Sequence, residues 1–328
     1  MAKKRILVTG GAGFIGSNFV KTIACASDVF SNYSFYIIDA LTYAGKKENI
    51  QPELAAFEIP FSSIDIRDRA AVDRIFEKEQ FDGVIHFAAE THVDRSIENP
   101  NIFLETNVIG TLNLLNAARK IFEAKAWFRF LQVSTDEVYG SLHEHESAFI
   151  EELPLKPNSP YSASKASADL LALSYFKTYK LPVIITRCSN NYGPYQYAEK
   201  LIPLMIIKAL NNEPLPVYGD GQNIRDWIYV DDHNEGVWGA FGRGRPGEIY
   251  NFGGNSEIKN IDLVKMILKE LGRCESLIKF VSDRPGHDWR YAMNYNKAKK
   301  ELKWKPKIKF VDGLKKTISW YKEAWMEL

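Results

Sequence analysis

A tyrosine and a lysine, Tyr161 and Lys165, stand four residues apart in the middle of the chain. That spacing places both side chains on one face of a predicted helix. A lysine ammonium stabilises a nearby phenolate and lowers the tyrosine pKa from about 10, so that the tyrosine can act as a base for a sugar or alcohol hydroxyl near neutral pH. Two other Tyr–Lys pairs share the spacing. Only this pair opens a long predicted helix, and we therefore select it as the catalytic candidate.

Two adjacent carboxylic acids, Asp136 and Glu137, follow Thr135 at the end of a predicted strand. Ligands of a doubly wound sheet collect at the carboxyl ends of its strands, so this segment should face the same cleft. Neighbouring carboxyl groups can act as one acid and one base, because ionising the first disfavours ionising the second. Thr135 can hydrogen-bond a substrate oxygen beside Tyr161. From the residues alone, catalytic and structural roles for the two acids stay equally open.

A glycine-rich loop follows the first predicted strand directly, with the sequence Gly10-Gly11-Ala12-Gly13-Phe14-Ile15-Gly16. Glycines at these spacings permit a tight turn, a close approach of the backbone to a pyrophosphate, and close packing of helix on strand. The helix N-terminus adds unpaired N–H groups for the phosphates. Asp39 ends the second predicted strand, where a carboxylate accepts hydrogen bonds from ribose hydroxyls and repels a 2′-phosphate. The sequence therefore predicts a dinucleotide site that prefers NAD to NADP.

Short apolar runs alternate with amphipathic stretches through the first half of the chain. The predicted strands are 5–9, 34–38, 57–64, 83–87, 128–134 and 182–187. The predicted helices are 13–25, 69–79, 102–122 and 163–179. This alternation predicts an α/β fold with a doubly wound parallel sheet of the Rossmann type. After about residue 190 the segments shorten, so we expect an NAD-binding domain with the catalytic residues at 1–190 and a smaller α+β substrate-binding lobe at 191–328.

The composition is that of an ordinary globular protein, with 45% hydrophobic and 25% charged residues. Forty-two Lys and Arg balance 41 Asp and Glu, so neither nucleic acid nor a membrane is an expected partner. The longest apolar stretch is shorter than the about 20 residues of a spanning helix, and the N-terminal apolar run is too short for a signal peptide. Three distant cysteines, Cys25, Cys188 and Cys274, predict no disulfide framework. We expect a cytosolic protein.

The histidines predict no metal site. His143-Glu144-His145-Glu146 lies in a polar segment without a third ligand at a suitable spacing, and we expect a solvated loop there. His86 lies within an apolar predicted strand, so we expect it to be a buried histidine with hydrogen-bond partners.

Several segments of the chain, taken together, carry a family resemblance. They are the glycine loop, 87–96 (FAAETHVDRS), 134–140 (STDEVYG), 161–165 (YSASK), 187–196 (RCSNNYGPYQ), 225–230 (RDWIYV) and 283–288 (DRPGHD). With them the chain resembles the extended short-chain dehydrogenase/reductases and, among these, the sugar-nucleotide 4,6-dehydratases. The resemblance extends from about residue 5 to beyond residue 300, and the Thr-Asp-Glu triplet is its most specific element.

The resemblance implies an NAD-dependent hydro-lyase that acts on dTDP-glucose. Tyr161 would take the proton of the C4 hydroxyl while NAD accepts the C4 hydride, and the ketone so formed would acidify the C5–H bond. Glu137 would remove the C5 proton and Asp136 would protonate the departing C6 hydroxyl. The hydride would then return to C6 and a proton to C5. The product would be dTDP-4-keto-6-deoxyglucose, an intermediate of deoxysugar or rhamnose synthesis.

The same resemblance implies the residues of the site. The catalytic set is Thr135, Asp136, Glu137, Tyr161 and Lys165. The cofactor set is Gly10, Gly13, Phe14, Ile15, Gly16, Asp39, Ala40, Leu41, Thr42, Asp65, Ile66, Phe87, Ala88, Ala89, Glu90, Thr91, Thr106, Tyr161, Lys165 and Asn191. The substrate set is Thr91, Thr135, Asn190, Lys200, Leu201, Pro216, Val217, Tyr218, Arg225, Asn260, Asp283, Arg284, Pro285, Gly286 and His287. Asp65 and Ile66 would flank the adenine, and Arg225 would bind a phosphate bidentately.

Two positions depart from the family pattern. Thr91 stands where serine is usual, which keeps the hydroxyl and adds a methyl group. Trp289 stands where arginine is common, a change that could alter contacts near the substrate phosphates. The resemblance also implies a homodimer, formed through helices 102–122 and 161–179, whose apolar residues occupy more than one face.

Two other functions fit parts of the pattern. A sugar-nucleotide 4-epimerase or a UDP-glucuronate decarboxylase would use Tyr161 and Lys165, but epimerisation needs no acid–base pair for C5 and C6. A redox-sensing binding protein would keep the dinucleotide fold without catalysis, but such proteins tend to lose the tyrosine or the lysine, and both are present here.

Overall fold

Strands and helices alternate through the first half of the chain, as the apolar pattern predicts. The computed structural model describes residues 3–326. The strands are β1 (Lys4–Thr9), β2 (Tyr33–Asp39), β3 (Phe61–Ser63), β4 (Gly83–His86), β5 (Arg129–Thr135), β6 (Val183–Cys188), β7 (Asn190–Tyr192), β8 (Leu215–Tyr218), β9 (Ile224–Tyr229), β10 (Ile249–Phe252), β11 (Glu257–Lys259) and β12 (Ile278–Val281). The helices are α1 (Phe14–Phe19), α2 (Ser27–Asn32), α3 (Gln51–Ala56), α4 (Arg69–Glu79), α5 (Val93–Glu98), α6 (Pro100–Phe103), α7 (Thr111–Phe122), α8 (Pro160–Tyr179), α9 (Leu201–Leu210), α10 (Val230–Arg243), α11 (Asn260–Glu270), α12 (Asn296–Leu302) and α13 (Phe310–Met326).

Seven parallel strands form the central sheet, in the order β10-β6-β5-β4-β1-β2-β3. Successive side chains of a strand point to opposite faces, so Ile6 and Val8 enter one apolar core and Leu7 enters the other. Helices α1 and α10 cover the first face, whereas α4, α7 and α8 cover the second. The predicted α/β fold, a doubly wound parallel sheet of the Rossmann type, is confirmed.

A smaller α+β region follows, with its own apolar core. It contains a three-stranded sheet, β11-β9-β7, and a two-stranded sheet, β12-β8, packed with α9, α11 and α13. The chain also returns to the central sheet after residue 190, because β10 pairs with β6 and α10 packs on the sheet. The division into 1–190 and 191–328 stays a prediction, and these two elements belong by their contacts to the first part.

Three local predictions differ in detail from the structure. Only Phe61–Ser63 of the predicted strand 57–64 pairs as a strand, and Glu58, which follows α3, takes a left-handed φ of 49°. The predicted helix 102–122 contains a wider, π-type turn at Leu104–Gly110, a feature that is common at functional sites. The predicted helix 13–25 contains a similar turn at Val20–Ala24. No helix in the described part of the chain is long and apolar enough to cross a membrane.

Candidate active site

One cavity extends along the carboxyl ends of β1, β2, β4, β5 and β6, where a doubly wound sheet collects its ligands. Every predicted catalytic residue lines it, and so does every predicted cofactor residue except Leu41. The Leu41 side chain is exposed, and its backbone N–H donates to the Asp39 carboxylate (2.8 Å). The structure therefore places the predicted cofactor-binding residues and the predicted catalytic residues in one site.

The backbone itself leaves no room for a side chain at Gly10 or at Gly16 of the glycine loop. Gly10 has a φ of 70°, and a Cβ there would lie 2.6 Å from the Ala88 nitrogen. A Cβ on Gly16 would collide with the carbonyl oxygen of Gly10. Gly13 lines the cavity, and a Cβ there would meet only the Gly10 oxygen, at 3.5 Å. Bare backbone thus borders the cavity where α1 begins, and this arrangement fits a pyrophosphate.

Asp39 ends β2 at the edge of the cavity, as predicted. Its carboxylate accepts hydrogen bonds from the backbone N–H groups of Ala12 (2.9 Å) and Leu41 (2.8 Å). Burial raises the pKa of Asp39, and the backbone donors oppose that rise. A carboxylate fixed beside the glycine loop can accept hydrogen bonds from ribose hydroxyls and would repel a 2′-phosphate. The geometry therefore fits NAD better than NADP.

Arg67 lines the cavity beside the predicted adenine-binding residues, although the sequence did not point to it. Its guanidinium pairs with Asp65 (Nη2 to Oδ2, 2.6 Å), and its backbone N–H donates to the same carboxylate (2.8 Å). Burial would raise the pKa of Asp65, but the bonds from Arg67 outweigh burial and hold that pKa below its ordinary value. Ile66 is buried next to this pair. Adenine contact by Asp65 and Ile66 stays a prediction. The Asp65 carboxylate that would take part is already held in place by Arg67.

Tyr161 and Lys165 lie in the first two turns of α8, which Ser159 caps. Lys165 is 5% exposed, and its Nζ donates to the Val133 carbonyl (2.7 Å) on β5. The expected lowering of the Tyr161 pKa is not found: burial raises it well above its ordinary value, and Glu137 raises it further. The expectation is wrong for the protein without its ligands. Burial lowers the pKa of Lys165 as well, and the Lys165 ammonium is bound to a backbone carbonyl.

Asp136 and Glu137 form a short 3₁₀ turn directly after β5. Asp136 is 1% exposed, and burial raises its pKa well above the ordinary value, as do the carboxylates of Glu137 and Asp226. Burial also raises the pKa of Glu137, but Arg284 and Lys200 oppose that rise. Asp136 is therefore surrounded mainly by carboxylates, with Arg225 opposing them, while Glu137 is surrounded mainly by cations, with Asp288 opposing them. This difference favours a protonated Asp136 beside a more acidic Glu137.

Thr135 connects the two acids. Its hydroxyl donates to Asp136 Oδ1 (3.2 Å) and accepts from the backbone N–H of Glu137 (3.3 Å). The other oxygen of Asp136, Oδ2, is buried without a hydrogen-bond partner among the residues that the structure describes. A buried polar atom without a partner is uncommon in proteins, and this one is available to a substrate group.

The predicted substrate residues fall into two groups. Thr91, Thr135, Asn190 and Lys200 line the cavity. Lys200 donates from Nζ to the Thr91 carbonyl (2.7 Å), and its pKa is lowered by burial against the attraction of Glu137. The others lie outside the cavity wall: Leu201, Pro216, Val217, Tyr218, Arg225, Asn260, Asp283, Arg284, Pro285, Gly286 and His287. Substrate contact by this second group stays a prediction.

Arg225 is buried, and its guanidinium is already engaged. Nη1 donates to the Ile224 carbonyl (2.8 Å), Nη2 donates to the Asp288 carbonyl (2.9 Å), and the guanidinium carbon lies 4.4 Å from the centre of the Tyr291 ring. Backbone carbonyls thus occupy both terminal nitrogens. These bonds use only some of the five N–H groups of the guanidinium, and bidentate phosphate binding by Arg225 stays a prediction.

The 283–287 segment reaches the first part of the chain through Asp94 on α5. The Arg284 guanidinium lies 3.3 Å from Asp94 Oδ1, and the Tyr218 hydroxyl donates to Asp94 Oδ2 (3.2 Å). His287 pairs with Asp283 within its own segment (Nδ1 to Oδ1, 2.6 Å). The charged groups that were expected to hold the substrate are therefore partners of protein groups in this arrangement.

Two smaller predictions have clear outcomes. His86 is buried, with Thr9 Oγ1 2.6 Å from Nδ1 and Thr111 Oγ1 3.0 Å from Nε2, so the expected paired core histidine is confirmed. Trp289 lies in a shallow surface depression with the 143–146 loop, and it does not line the cavity in the described structure. The replacement of arginine by tryptophan thus changes a site outside the catalytic cavity.

Three cavity residues just before α9 were not predicted: Gln196, Tyr197 and Glu199. Glu199 pairs with Arg95 (3.0 Å), which follows the cofactor segment after β4. The only sign of Glu199 in the sequence was its position next to Lys200, a predicted substrate residue. Its partners, Tyr43 and Arg95, are more than 100 residues away in the sequence.

Comparisons with known proteins agree with this geometry. Residues 7–317 match the family model described as GDP-mannose 4,6 dehydratase. A probable dTDP-glucose 4,6-dehydratase of Sinorhizobium fredii is 50% identical, over 97% of this chain and 93% of that protein. A dTDP-glucose 4,6-dehydratase of Neisseria meningitidis serogroup B is 49% identical, over 97% of this chain and 93% of that protein.

A solved structure has the same fold along nearly the whole chain. It is DesIV of Streptomyces venezuelae, a dTDP-glucose 4,6-dehydratase crystallised with NAD bound. The TM-score is 0.92 at 46% sequence identity, and the alignment covers 98% of each chain. On its sequence, its fold and its cavity, the chain belongs to the dTDP-glucose 4,6-dehydratase family.

Proposed function

We propose that this protein converts dTDP-glucose into dTDP-4-keto-6-deoxyglucose and water. The observation that carries the proposal is the pair Asp136 and Glu137, two acids on one turn that both line the dinucleotide cavity, with mainly carboxylates around the first and mainly cations around the second. Such a pair provides one proton donor and one proton acceptor, which an elimination requires. The named activity of the relatives supports the same reaction.

NAD is the proposed cofactor, and the residues present fit it. The glycine loop would hold the pyrophosphate and Asp39 the ribose hydroxyls, while Asp65 and Ile66 would border the adenine. When bound, NAD supplies a two-electron acceptor that takes the hydrogen of C4 and later gives it to C6. Because the cofactor ends each cycle as it began, it need not leave between turnovers.

Oxidation at C4 requires a base for the C4 hydroxyl, and we assign this role to Tyr161. Burial raises the pKa of Tyr161, so the phenol holds its proton until a cationic environment stabilises the phenolate. Lys165, one helical turn away and fixed on the Val133 carbonyl, contributes one positive charge, and the oxidised nicotinamide ring of bound NAD would add a second. Thr135 orients the same substrate hydroxyl.

Elimination follows at C5 and C6. The 4-ketone acidifies the C5–H bond, and Glu137 removes that proton as the base. Asp136, kept protonated by burial and by neighbouring carboxylates, donates a proton to the C6 hydroxyl, which leaves as water. When C6 then receives the hydrogen taken from C4, C5 takes up a proton, and the product is the 4-keto-6-deoxy sugar. Each proton transfer contributes about 10²- to 10⁴-fold to the rate.

Purified protein incubated with dTDP-glucose, without added NAD, tests the proposal. We expect a mass loss of one water by mass spectrometry and a new methyl group at C6 by NMR. UDP-glucose in a parallel reaction tests the preference for thymine over uracil. An unchanged mass with a galactose-configured sugar would establish a 4-epimerase instead. No conversion of either sugar nucleotide, with NAD added, would refute the proposal.

We also propose a homodimer formed through the helices around α7 and α8. Leu104, Ile109, Leu170 and Tyr179 are exposed by 49, 48, 59 and 39%, although they lie on elements that pack together. A second copy that covered these side chains would remove their apolar surface from water. Size-exclusion chromatography with light scattering should give twice the 37.4 kDa chain mass.

The proposed setting is the cytosol, as a step in the synthesis of a deoxysugar such as rhamnose. All three cysteines of the chain, Cys25, Cys188 and Cys274, are unpaired. Free thiols are typical of a reducing compartment.

A further inference from the structure

Three loops that line the dinucleotide cavity are joined by three side chains. Tyr43 belongs to the loop after β2, Arg95 to α5 beyond the loop after β4, and Glu199 to the segment before α9. We refer to Tyr43, Arg95 and Glu199 as the strap. The loops that it joins contribute cavity residues from 40–45, 87–91 and 196–200. The catalytic steps proposed above make no use of the strap.

Each side chain of the strap contacts the other two. Arg95 Nη2 lies 3.0 Å from one Glu199 carboxylate oxygen, and the Tyr43 hydroxyl donates to the other (3.1 Å). The Arg95 guanidinium carbon lies 3.8 Å from the centre of the Tyr43 ring. The Glu199 side chain is 15% exposed and that of Arg95 is 46% exposed, so solvent screens their ion pair in part. Three mutual contacts hold these loops more firmly than any one of them would.

The strap joins segments that are remote in the sequence. Tyr43 and Glu199 are 156 residues apart, and the two residues come from different regions of the fold. Tyr197 packs its ring against Tyr43 at 5.3 Å, which extends the contact between the first and third loops. Lys200 adds a bond from the third loop to the second through the Thr91 carbonyl. A dinucleotide enclosed by these loops can leave only when at least one loop moves away from the others.

We propose that the strap retains NAD by holding the three loops together, so that the cofactor stays bound through many turnovers. This inference rests on the proposed binding of NAD, and it assigns retention to residues outside the catalytic set. Breaking one contact of the strap should speed NAD release while the glycine loop and Asp39 remain in place.

The test is the rate of NAD loss from NAD-loaded protein, without any sugar nucleotide. Protein is dialysed against buffer, and the NAD that remains bound is measured in acid extracts at successive times. We expect Arg95→Met to raise the dissociation rate about five- to tenfold, because it removes the ion pair and the cation–π contact. Tyr43→Phe keeps the ring and should raise the rate about two- to threefold. The double variant should show less than the product of the two effects, since the strap residues share contacts.

A matched control exists elsewhere in the chain. Arg245, Glu301 and Tyr250 form the same combination of residues, with Arg245 Nη2 2.8 Å from Glu301 and the Tyr250 hydroxyl donating to Glu301 (2.9 Å). None of the three is among the cavity-lining residues of the described chain. Arg245→Met therefore removes a similar ion pair without touching the loops, and we expect the parent rate of NAD loss.

Equal rates of NAD loss in the parent and both strap variants would overturn the inference. So would an equal acceleration by Arg245→Met, which would indicate general loosening of the fold, and so would a protein with no affinity for NAD. Failure of the proposed function gives a different result. If the parent protein leaves dTDP-glucose unchanged but the Arg95→Met variant loses NAD faster, the proposed dehydratase activity is refuted. The proposed role of the strap in NAD retention then still stands.

Discussion

The cofactor half and the substrate lobe are prepared for their ligands in different ways. In the cofactor half, Gly10 and Gly13 present bare backbone, and Asp39 is held by backbone N–H groups. In the substrate lobe, Arg284 pairs with Asp94, and backbone carbonyls occupy Arg225. The first region thus presents unoccupied backbone and a fixed carboxylate to its ligand, whereas the charged groups of the second already pair with protein groups. We therefore expect substitutions at the dinucleotide cavity to have larger effects than substitutions in the lobe.

The largest effect is expected at Tyr161, in the dinucleotide cavity. Tyr161→Phe removes the only atom that accepts the C4 hydroxyl proton, and kcat should fall roughly 10²- to 10⁴-fold. Tyr179→Phe, an exposed tyrosine on the same helix, is the matched control and should keep the parent rate. Steady-state kinetics with dTDP-glucose measures both variants. A Tyr161→Phe protein with more than about a tenth of the parent kcat would contradict the assignment.

The glycine loop should tolerate a methyl group poorly. Gly10→Ala places a Cβ 2.6 Å from the Ala88 nitrogen on a backbone with a φ of 70°. The strain should weaken NAD binding by about 10- to 100-fold, as measured by isothermal titration. Gly242→Ala is the control, because no described atom lies within 4 Å of its added Cβ. That variant, inside α10, should keep the affinity and be slightly more stable. Equal affinities for all three proteins would show that the loop is not preformed.

A buried acid of the lobe should make stability depend on pH. Burial raises the pKa of Asp226 from 3.8 to about 6 in the folded protein. The stability that Asp226 contributes is fully present below its pKa in the unfolded chain. It is lost as the pH rises through the higher pKa in the folded protein. The free energy of unfolding should thus fall by about 3 kcal/mol across this range on account of Asp226. Urea unfolding at several pH values should show a flatter profile for Asp226→Asn. If the free energy of unfolding changes with pH by the same amount in both proteins, a group other than Asp226 is responsible.

The smallest effect is expected at Asp94, which pairs with Arg284 across the two regions. If the substrate must replace Asp94, then Asp94→Asn frees Arg284 and should lower KM for dTDP-glucose about two- to fivefold, within the range of a partly exposed ion pair. Arg67, which pairs with Asp65 on the cofactor side, provides the comparison, since Asp65→Asn should leave this KM unchanged. A higher KM in Asp94→Asn would mean that Asp94 orients Arg284 for the substrate, and the contrast between the regions would weaken.

Short, contiguous motifs made the fold and the cofactor site predictable. The helix predicted at 69–79 is α4 to the residue, and Asp39 ends β2 as the fingerprint requires. These features depend on local periodicity and on backbone conformations that only glycine adopts readily. The acids at 136–137 were found for the same reason, because they directly follow a strand that any parallel sheet would direct to its ligand edge.

Contacts between distant segments were not predictable from one sequence. Glu199 and Arg67 line the cavity, but their roles depend on partners that the tertiary fold brings to them. The raised pKa of Tyr161 depends on burial, which residue spacing does not determine. The return of β10 to the central sheet required the three-dimensional path of the chain. Sequence spacing therefore predicted which residues meet on one element, and the structure was needed for those that meet across elements.

The most direct test of the proposed chemistry follows one hydrogen atom. dTDP-glucose labelled with deuterium at C4 is converted by the purified protein, and the product is analysed by NMR and mass spectrometry. We predict that the deuterium is found on the C6 methyl group, because oxidation and return of the hydrogen occur in one cavity around Tyr161, Asp136 and Glu137. Deuterium that remains at C4, or that is lost to solvent, would contradict a C4 oxidation coupled to C5–C6 elimination.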